Sequence, residues 1–322
     1  MKFKYVIFGY QRDYFSAMFE EAVSNGIAKY IGDPILDKFK NPFIRTLYKI
    51  HHHPLLNWKY KLPLQHLWIP LYYDYSESSP VCFIFLMDWI KNENVKLFLY
   101  LRKKYPNCKM GVYFEDLVSS RPLLDMSLLR YLDFGISYDQ KDAAKYHLLY
   151  HPTFMSKIEI IDSSKPSTDV CFVGMAKDRI SKIHKLYQFF TQSGFKTDFV
   201  VSKINKTVQK VTGIQYISKD ISYHDYLKHV INSNCILEIM HHNAEGYTLR
   251  TWEALLYDKK LITNNLKILD APFYNKEQFI VFNDINDIPV QQIIEPLKKC
   301  SFDKSSISSI HFFKYIESQI CQ

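Results

Sequence analysis

The chain has 322 residues, with 41 Lys and Arg against 33 Asp and Glu (net charge +8), 24 Tyr, 23 Phe, 4 Trp and only 9 Gly. That length corresponds to about two domains of roughly 150 residues, and 47% apolar residues are enough for ordinary cores, so disorder, collagen and a disulfide mini-scaffold are excluded. Glycine stands at about 3% against the usual ~7%, so each one left is expected where the backbone has no substitute.

The longest strongly apolar run, Val81 to Met87, falls short of the ~18 residues of a membrane helix. Lys2 and Lys4 precede an apolar run that Gln11, Arg12 and Asp13 interrupt, so no export segment is expected. Cys82, Cys108, Cys171, Cys235, Cys300 and Cys321 are scattered, without C-x-x-C or finger spacing. That usage suits a reducing compartment, and the expected location is the cytoplasm.

Short β-rich runs alternate with helical patterns, the signature of βαβ units and parallel sheets. The first half reads as strands Tyr5–Phe8, Val81–Met87, Met110–Phe114 and Phe134–Ser137, with helices Tyr14–Ser24, Val95–Lys104 and Asp139–His147. The second half reads as strands Val170–Val173, Thr197–Val201, Cys235–Ile239, Leu261–Thr263 and Phe279–Phe282. Its helices are expected near Arg179–Ser193, Tyr223–Ile231, Thr248–Tyr257 and Pro289–Lys298.

The polar stretch Ile161 to Thr168 has a linker composition. Each half opens on a hydrophobic strand ending in glycine, Tyr5-Val-Ile-Phe-Gly9 and Val170-Cys-Phe-Val-Gly174. The simplest architecture is α/β, two Rossmann-like domains facing across a cleft, over residues 1–162 and 163–304, with a C-terminal helix over 305–322 packing back. That helix has Ile307, Ile310, Phe313 and Ile316 on one face.

Lys38 to Tyr73 breaks the regularity, with Lys38, Lys40, Arg45, Lys49, Lys59 and Lys61, four His, eight aromatics including Trp58 and Trp68, and no Asp or Glu. A basic stretch interleaved with aromatics suits an anionic membrane surface. The bland alternative is a solvated loop and helix packed on the first sheet.

The most informative stretch is Glu245-Gly-Tyr-Thr-Leu-Arg-Thr-Trp-Glu253, followed by Ala254-Leu-Leu and Lys259-Lys-Leu-Ile-Thr-Asn-Asn265. Glutamates eight apart on one helix are separated by about 12 Å of rise, too far to serve one bond as an acid/base pair, which needs about 5–9.5 Å. They suit two ends of one extended ligand. The pattern resembles the donor-site signature of two-Rossmann-domain (GT-B) glycosyltransferases of bacterial capsule and lipopolysaccharide assembly. Asp169 to Arg179, Asn234 to Met240 and Asp133 to Ala143 are similar to the same family.

The resemblance implies that Glu245 lies near the donor sugar's hydroxyls and Glu253 on the ribose. A helix start at Gly246, Tyr247 and Thr248 would face the diphosphate with free N–H groups, and Gly174 ends the strand beside it. Lys177, Arg179 or Arg250 would supply the cation for the departing nucleotide diphosphate, with Lys177 and Arg179 favoured. No D-x-D triplet occurs, so the implied mechanism requires no metal and no cofactor. His51-His-His53 and His241-His242 lack the i, i+4 geometry of a helical metal site.

On the acceptor side, the strand Lys109 to Phe114 ends on Glu115-Asp116, at the edge where open α/β sheets place ligands. Many relatives carry a His–Asp pair there, so Glu115 is a departure. If the reaction inverts the anomeric centre, Asp116 or Glu115 is the candidate base. Asp139 and Gln11 to Asp13 are further candidates.

The expectation is a cytoplasmic enzyme, peripheral on the inner face of the plasma membrane. It would move a sugar from a nucleotide-diphosphate donor to a lipid-linked glycan acceptor. The Lys49, Trp58, Lys59, Lys61 and Trp68 region would meet acceptor or membrane. The rival is a non-catalytic nucleotide- or glycan-binding module of an assembly complex. Nucleic acid is not an expected partner, because no recognised motif accompanies the charge.

Overall fold

The computed structural model describes residues 1–10, 13–32, 39–51, 53, 67–68, 80–121, 124–160, 166–204, 211–219, 221–240, 246–298 and 302–321. The chain forms two compact units, Met1–Pro152 with Ser309–Gln322, and Thr153–Ser308. The first crossing between units thus falls at Pro152, ahead of the polar stretch, of which 161–165 lie outside the described residues.

The first unit runs β1 (Lys4–Phe8), α1 (Asp13–Met18), α2 (Glu20–Ser24), β2 (Ala28–Ile31), α3 (Pro42–His51), β3 (Val81–Leu86), α4 (Val95–Lys104), β4 (Lys109–Phe114), β5 (Phe134–Ser137), α5 (Gln140–Tyr146) and β6 (Leu149–Tyr150). Its strands pair in parallel in the order β2-β1-β3-β4-β5-β6. All six residues of β3 are buried. A strand covered on both faces reads as a continuous apolar run rather than an alternation, which is why it was legible.

The helix expected over Tyr14–Ser24 is instead two helices, broken at Phe19. The break turns that fully buried ring towards Tyr30 and Phe313, with centroids 5.9 and 6.1 Å away.

The second unit runs β7 (Thr168–Met175), α6 (Ile180–Gln192), β8 (Thr197–Ser202), β9 (Gln215–Ile217), α7 (Tyr223–Ile231), β10 (Ser233–Glu238), α8 (Leu249–Leu256), β11 (Lys260–Thr263), β12 (Phe279–Val281) and α9 (Val290–Ile294). Its parallel sheet has the order β12-β11-β10-β7-β8-β9, the doubly wound Rossmann order. The core gathers Val170 and Phe172 of β7, Ile183, Leu186 and Phe190 of α6, and Leu237 of β10.

The last helix, α10 (Ser309–Ile320), returns to the first unit. Phe313 stacks on Tyr5 at 4.1 Å, and Glu317 Oε1 accepts from the N–H groups of Lys2 (2.7 Å) and Phe3 (3.1 Å). Three strands without a sequence signal, β2, β6 and β9, are all sheet edges. An edge strand needs no continuous apolar run.

Each sheet has one place where the direction of winding reverses, between β1 and β3 in the first and between β7 and β10 in the second. Open α/β sheets present their binding crevice at the carboxyl ends of the strands flanking such a point. The chemistry-bearing residues of both units collect there.

Candidate functional site

In the second unit, β7 ends at Gly174-Met175 and β10 at Glu238. Two guanidinium groups close on these ends. Arg250, in the first turn of α8, donates from Nη2 to the Val173 carbonyl (2.6 Å) and lies over the Phe172 ring, 5.6 Å from its centroid. Its Nε has no hydrogen-bond partner among the described residues.

Arg179, just before α6, donates to the carbonyls of Ala176 (3.3 Å), Met175 (2.9 Å) and Ile239. An arginine has five N–H donors, so each side chain is fixed in direction without spending all of them. Burial, followed by repulsion from Arg250, lowers the proton affinity of Arg179. A β-carbon on Gly174 would lie 2.7 Å from Arg250 Nη2, so that glycine admits the guanidinium to the strand end.

The support beneath these arginines was not legible as a site. Glu238 is 1% exposed, and its two oxygens accept from the hydroxyls of Thr248 and Thr263. Thr248 Oγ1 in turn accepts from Arg250 N (3.1 Å) as the N-cap of α8. Asn265 Nδ2 donates to the Gly246 carbonyl (3.1 Å), and Asn264 Oδ1 accepts from Met240 N (2.7 Å), tying the segments after β10 and β11 together. A lone glutamate closing the apolar run Cys235-Ile-Leu-Glu238 was the available signal.

Several expectations are corrected here. The helix Leu249–Leu256, capped by Thr248, matches the span expected near Thr248–Tyr257, but Gly246 and Tyr247 precede it rather than start it, so the separation derived for glutamates on one helix does not apply. Glu245, His241 and His242 lie outside the described residues. Glu253 is 1% exposed, and its oxygens accept from Tyr223 Oη (2.9 Å) and Tyr226 Oη, both carried by α7. Burial raises its pKa against the opposing pull of the Tyr226 bond. A carboxylate closed in this way positions α7 against α8 and does not present itself to a ribose.

The Tyr247 ring packs against Trp252 and Phe273, at 5.7 and 4.9 Å, as part of an aromatic cluster. Lys177 is exposed, in a turn with φ of 49°.

In the first unit the same edge carries carboxylates. Glu115, directly after β4, accepts at Oε1 from Tyr10 Oη (2.8 Å) and at Oε2 from Met87 N (3.1 Å). Tyr10 Oη also accepts from Asp88 N (2.7 Å), so one hydroxyl joins the ends of β1, β3 and β4. Tyr10 is itself held by Tyr30, whose Oη accepts from Tyr10 N and donates to Tyr10 O, each at 3.0 Å. A β-carbon on Gly9 would overlap Tyr30 Oη and its ring.

Burial raises the Glu115 pKa to about 7, although both hydrogen bonds pull it down. Asp116 stands beside it, with Oδ2 3.7 Å from Arg121 Nη2, while Arg121 Nε is 3.7 Å from Asp88 Oδ1. Asp139 is the N-cap of α5, accepting from Asp142 N (2.9 Å), a structural role. Asp13 is exposed at the start of α1, and Gln11 and Arg12 lie outside the described residues.

Of the basic aromatic segment, Lys49 is exposed on α3. Trp68, expected as a membrane anchor, is instead 1% exposed and packs edge-on to Tyr48 at 5.9 Å. Its large apolar ring is core. His51 is buried against it at 5.2 Å. Trp58, Lys59 and Lys61 lie outside the described residues. Among the described residues no group of three or more His, Cys, Asp or Glu gathers to hold a metal ion, and no helix is long and apolar enough to cross a membrane.

The chain is similar to an α-glucosyltransferase solved with UDP-glucose and DNA containing an abasic site, at a TM-score of 0.53 and 12% identity over 98% of this chain and 93% of that one. The fold is the two-Rossmann-unit, GT-B type. The chain is also similar to a chain in the structure of accessory secretory protein 1, 2 and 3 from Streptococcus pneumoniae, at a TM-score of 0.50 and 10% identity over 83% of this chain. It spans 60% of that chain's length. No family model and no curated protein sequence matches. These likenesses concern the fold; the residues above have to carry the chemistry.

Proposed function

We propose that the chain is a glycosyltransferase using a nucleotide-diphosphate sugar. The observation that carries this reading is the pair of fixed guanidiniums, Arg179 and Arg250, at the winding reversal of the second sheet, beside the N-terminal turn of α8. Two partly buried like charges held side by side favour an anion between them, and a diphosphate has the charge and oxygen count to take both. Exposed Lys177 extends the same positive end, and Glu245 remains the candidate for the sugar hydroxyls. In this reading the cations meet the charge of the departing diphosphate, consistent with the lack of a D-x-D triplet, and no metal is required. The α-glucosyltransferase solved with UDP-glucose supports the donor class.

On the acceptor side, Glu115 is the base. Its pKa of about 7 suits a group that must be deprotonated near neutrality and still accept a proton. In an inverting transfer the acceptor hydroxyl gives its proton to Glu115 as its oxygen bonds to the anomeric carbon. The bond from that carbon to the diphosphate breaks in the same step. Asp116 then serves the acceptor by hydrogen bonding. The acceptor class we propose is a lipid-linked glycan of surface polysaccharide assembly, met by a cytoplasmic enzyme on the inner membrane face.

The test is thermal unfolding with nucleoside mono- and diphosphates and their sugars, since a ligand of the folded state raises stability by mass action. A diphosphate should raise the midpoint by several degrees, and Arg250→Met should abolish the rise. No response to any diphosphate would sink the reading.

The likeness to the Streptococcus pneumoniae accessory protein favours a second reading, a binding module without transfer. Nucleotide binding with neither transfer nor hydrolysis across a panel of donors would select it.

A further inference from the structure

The outer face of α3 carries an unusual pairing of side chains. Its inner face, Ile44, Leu47, Tyr48 and His51, packs towards the first unit's core and Trp68. Outside, Phe43 is 67% exposed, more than any other large apolar side chain among the described residues, and Ile50 is 42% exposed. Seven residues apart, they lie on one stripe about 10 Å long, parallel to the helix axis. Lys49 and Arg45 are exposed further round the same outer face, about 110° and 150° from that stripe, exposed Lys40 lies just before the helix, and the sequence holds no acidic residue from position 38 to 73.

Scattered exposed apolar residues are ordinary on a protein surface. A phenylalanine and an isoleucine along one side of an exposed helix face that also carries cations, in a stretch of sequence without carboxylates, are a complementary face for an anionic, partly apolar partner. A bilayer surface with acidic headgroups meets both requirements at once. Phosphates pair with the cations, and the headgroup–acyl boundary takes the two apolar side chains. A nucleic acid would use the cations and leave the apolar stripe in water.

We propose that α3 is an interfacial membrane-docking helix, lying flat on anionic lipid with Phe43 and Ile50 inserted and Lys40, Arg45 and Lys49 at the headgroup phosphates. This deepens the lipid-linked acceptor reading and rests on it for its purpose: the unit carrying Glu115 is brought to the surface where such an acceptor resides. Lipid binding itself requires no catalysis, so the two can fail separately.

The test is flotation of the full chain with vesicles of phosphatidylcholine alone and of phosphatidylcholine with one quarter phosphatidylglycerol, at low and high salt. Anionic vesicles should bind at least tenfold better, and high salt should release most of the protein. The double variant Phe43→Ser/Ile50→Ser removes exposed groups, so it should keep the wild-type unfolding midpoint and nucleotide response while binding anionic vesicles about tenfold more weakly. Arg45→Glu/Lys49→Glu should lose more, since each cation near such a surface is worth roughly fivefold.

Equal retention on both kinds of vesicle would overturn the proposal, as would unchanged binding by both variants. So would preferential retention on duplex DNA at the same salt. Self-association that the serine variant abolishes would reassign the face to a second copy of this chain.

Discussion

The two sheets are both parallel with a single reversal of winding, though in different strand orders, yet the groups near their reversal points carry opposite charge. At the ends of β1, β3 and β4 a tyrosine gathers Glu115 and Asp88, with Asp116 alongside. At the ends of β7 and β10 two arginines take backbone carbonyls, with the acidic partner Glu238 buried beneath them. The parallel sheet fixes where side chains converge, and the residues at that place decide which charge it presents. Even the opening glycines repeat: Gly9 makes room for Tyr30 and Gly174 for Arg250.

The sharpest break in this comparison should come from Glu253→Ala. It leaves the buried hydroxyls of Tyr223 and Tyr226 without their acceptor. At about 1–3 kcal/mol for each orphaned donor, urea unfolding should report a loss of about 2–6 kcal/mol, with Glu253→Gln losing less. The first unit has no counterpart, because Glu115 bonds to a backbone N–H as well as to a tyrosine.

Next come the glycines. Gly9→Ala and Gly174→Ala force the side chains of Tyr30 and Arg250 aside, at about 1–3 kcal/mol of overpacking each. Their functional effects should separate. Gly174→Ala should weaken diphosphate binding about tenfold by displacing one charge-assisted contact, whereas Gly9→Ala should leave that affinity unchanged and impair transfer. Calorimetric titration with a nucleoside diphosphate distinguishes them. Equal losses of affinity would erase the division of labour.

The smallest effect concerns pH. The Glu115 pKa is raised from 4.5 to about 7 in the folded state, so the folded chain holds this proton more tightly than the unfolded one. Its contribution to stability is complete below pH 4.5 and is lost as pH rises through about 7. Transfer by an ionised base should rise over the same upper range. Glu115→Gln should flatten this part of the stability profile and lower the transfer rate; a profile identical to wild type would remove Glu115 from the base role.

Legibility followed burial. Interior strands such as Val81–Leu86 announce themselves because both faces must be apolar, while the edges β2, β6 and β9 carry no such mark. The arginines were legible by their place after a strand end and at a helix start. Glu238 was not, because one glutamate after an apolar run has no periodicity to betray it. Trp68 misled because composition cannot tell an interfacial tryptophan from a core one; packing on Tyr48 and His51 makes it core.

By itself the sequence determined the alternation of strands and helices, the restart after a polar stretch, the glycine closing each opening strand and the excess of positive charge. These follow from local periodicity and composition. Only the tertiary structure decided which charged groups remain available. Glu253 is closed by tyrosines about thirty positions away, Arg179 is pinned by the carbonyl of Ile239, sixty residues on and just past β10, and Tyr10 reaches a carboxylate 105 residues later. Such pairings depend on how strands far apart in sequence come to lie side by side, and no local pattern of residues encodes that distance.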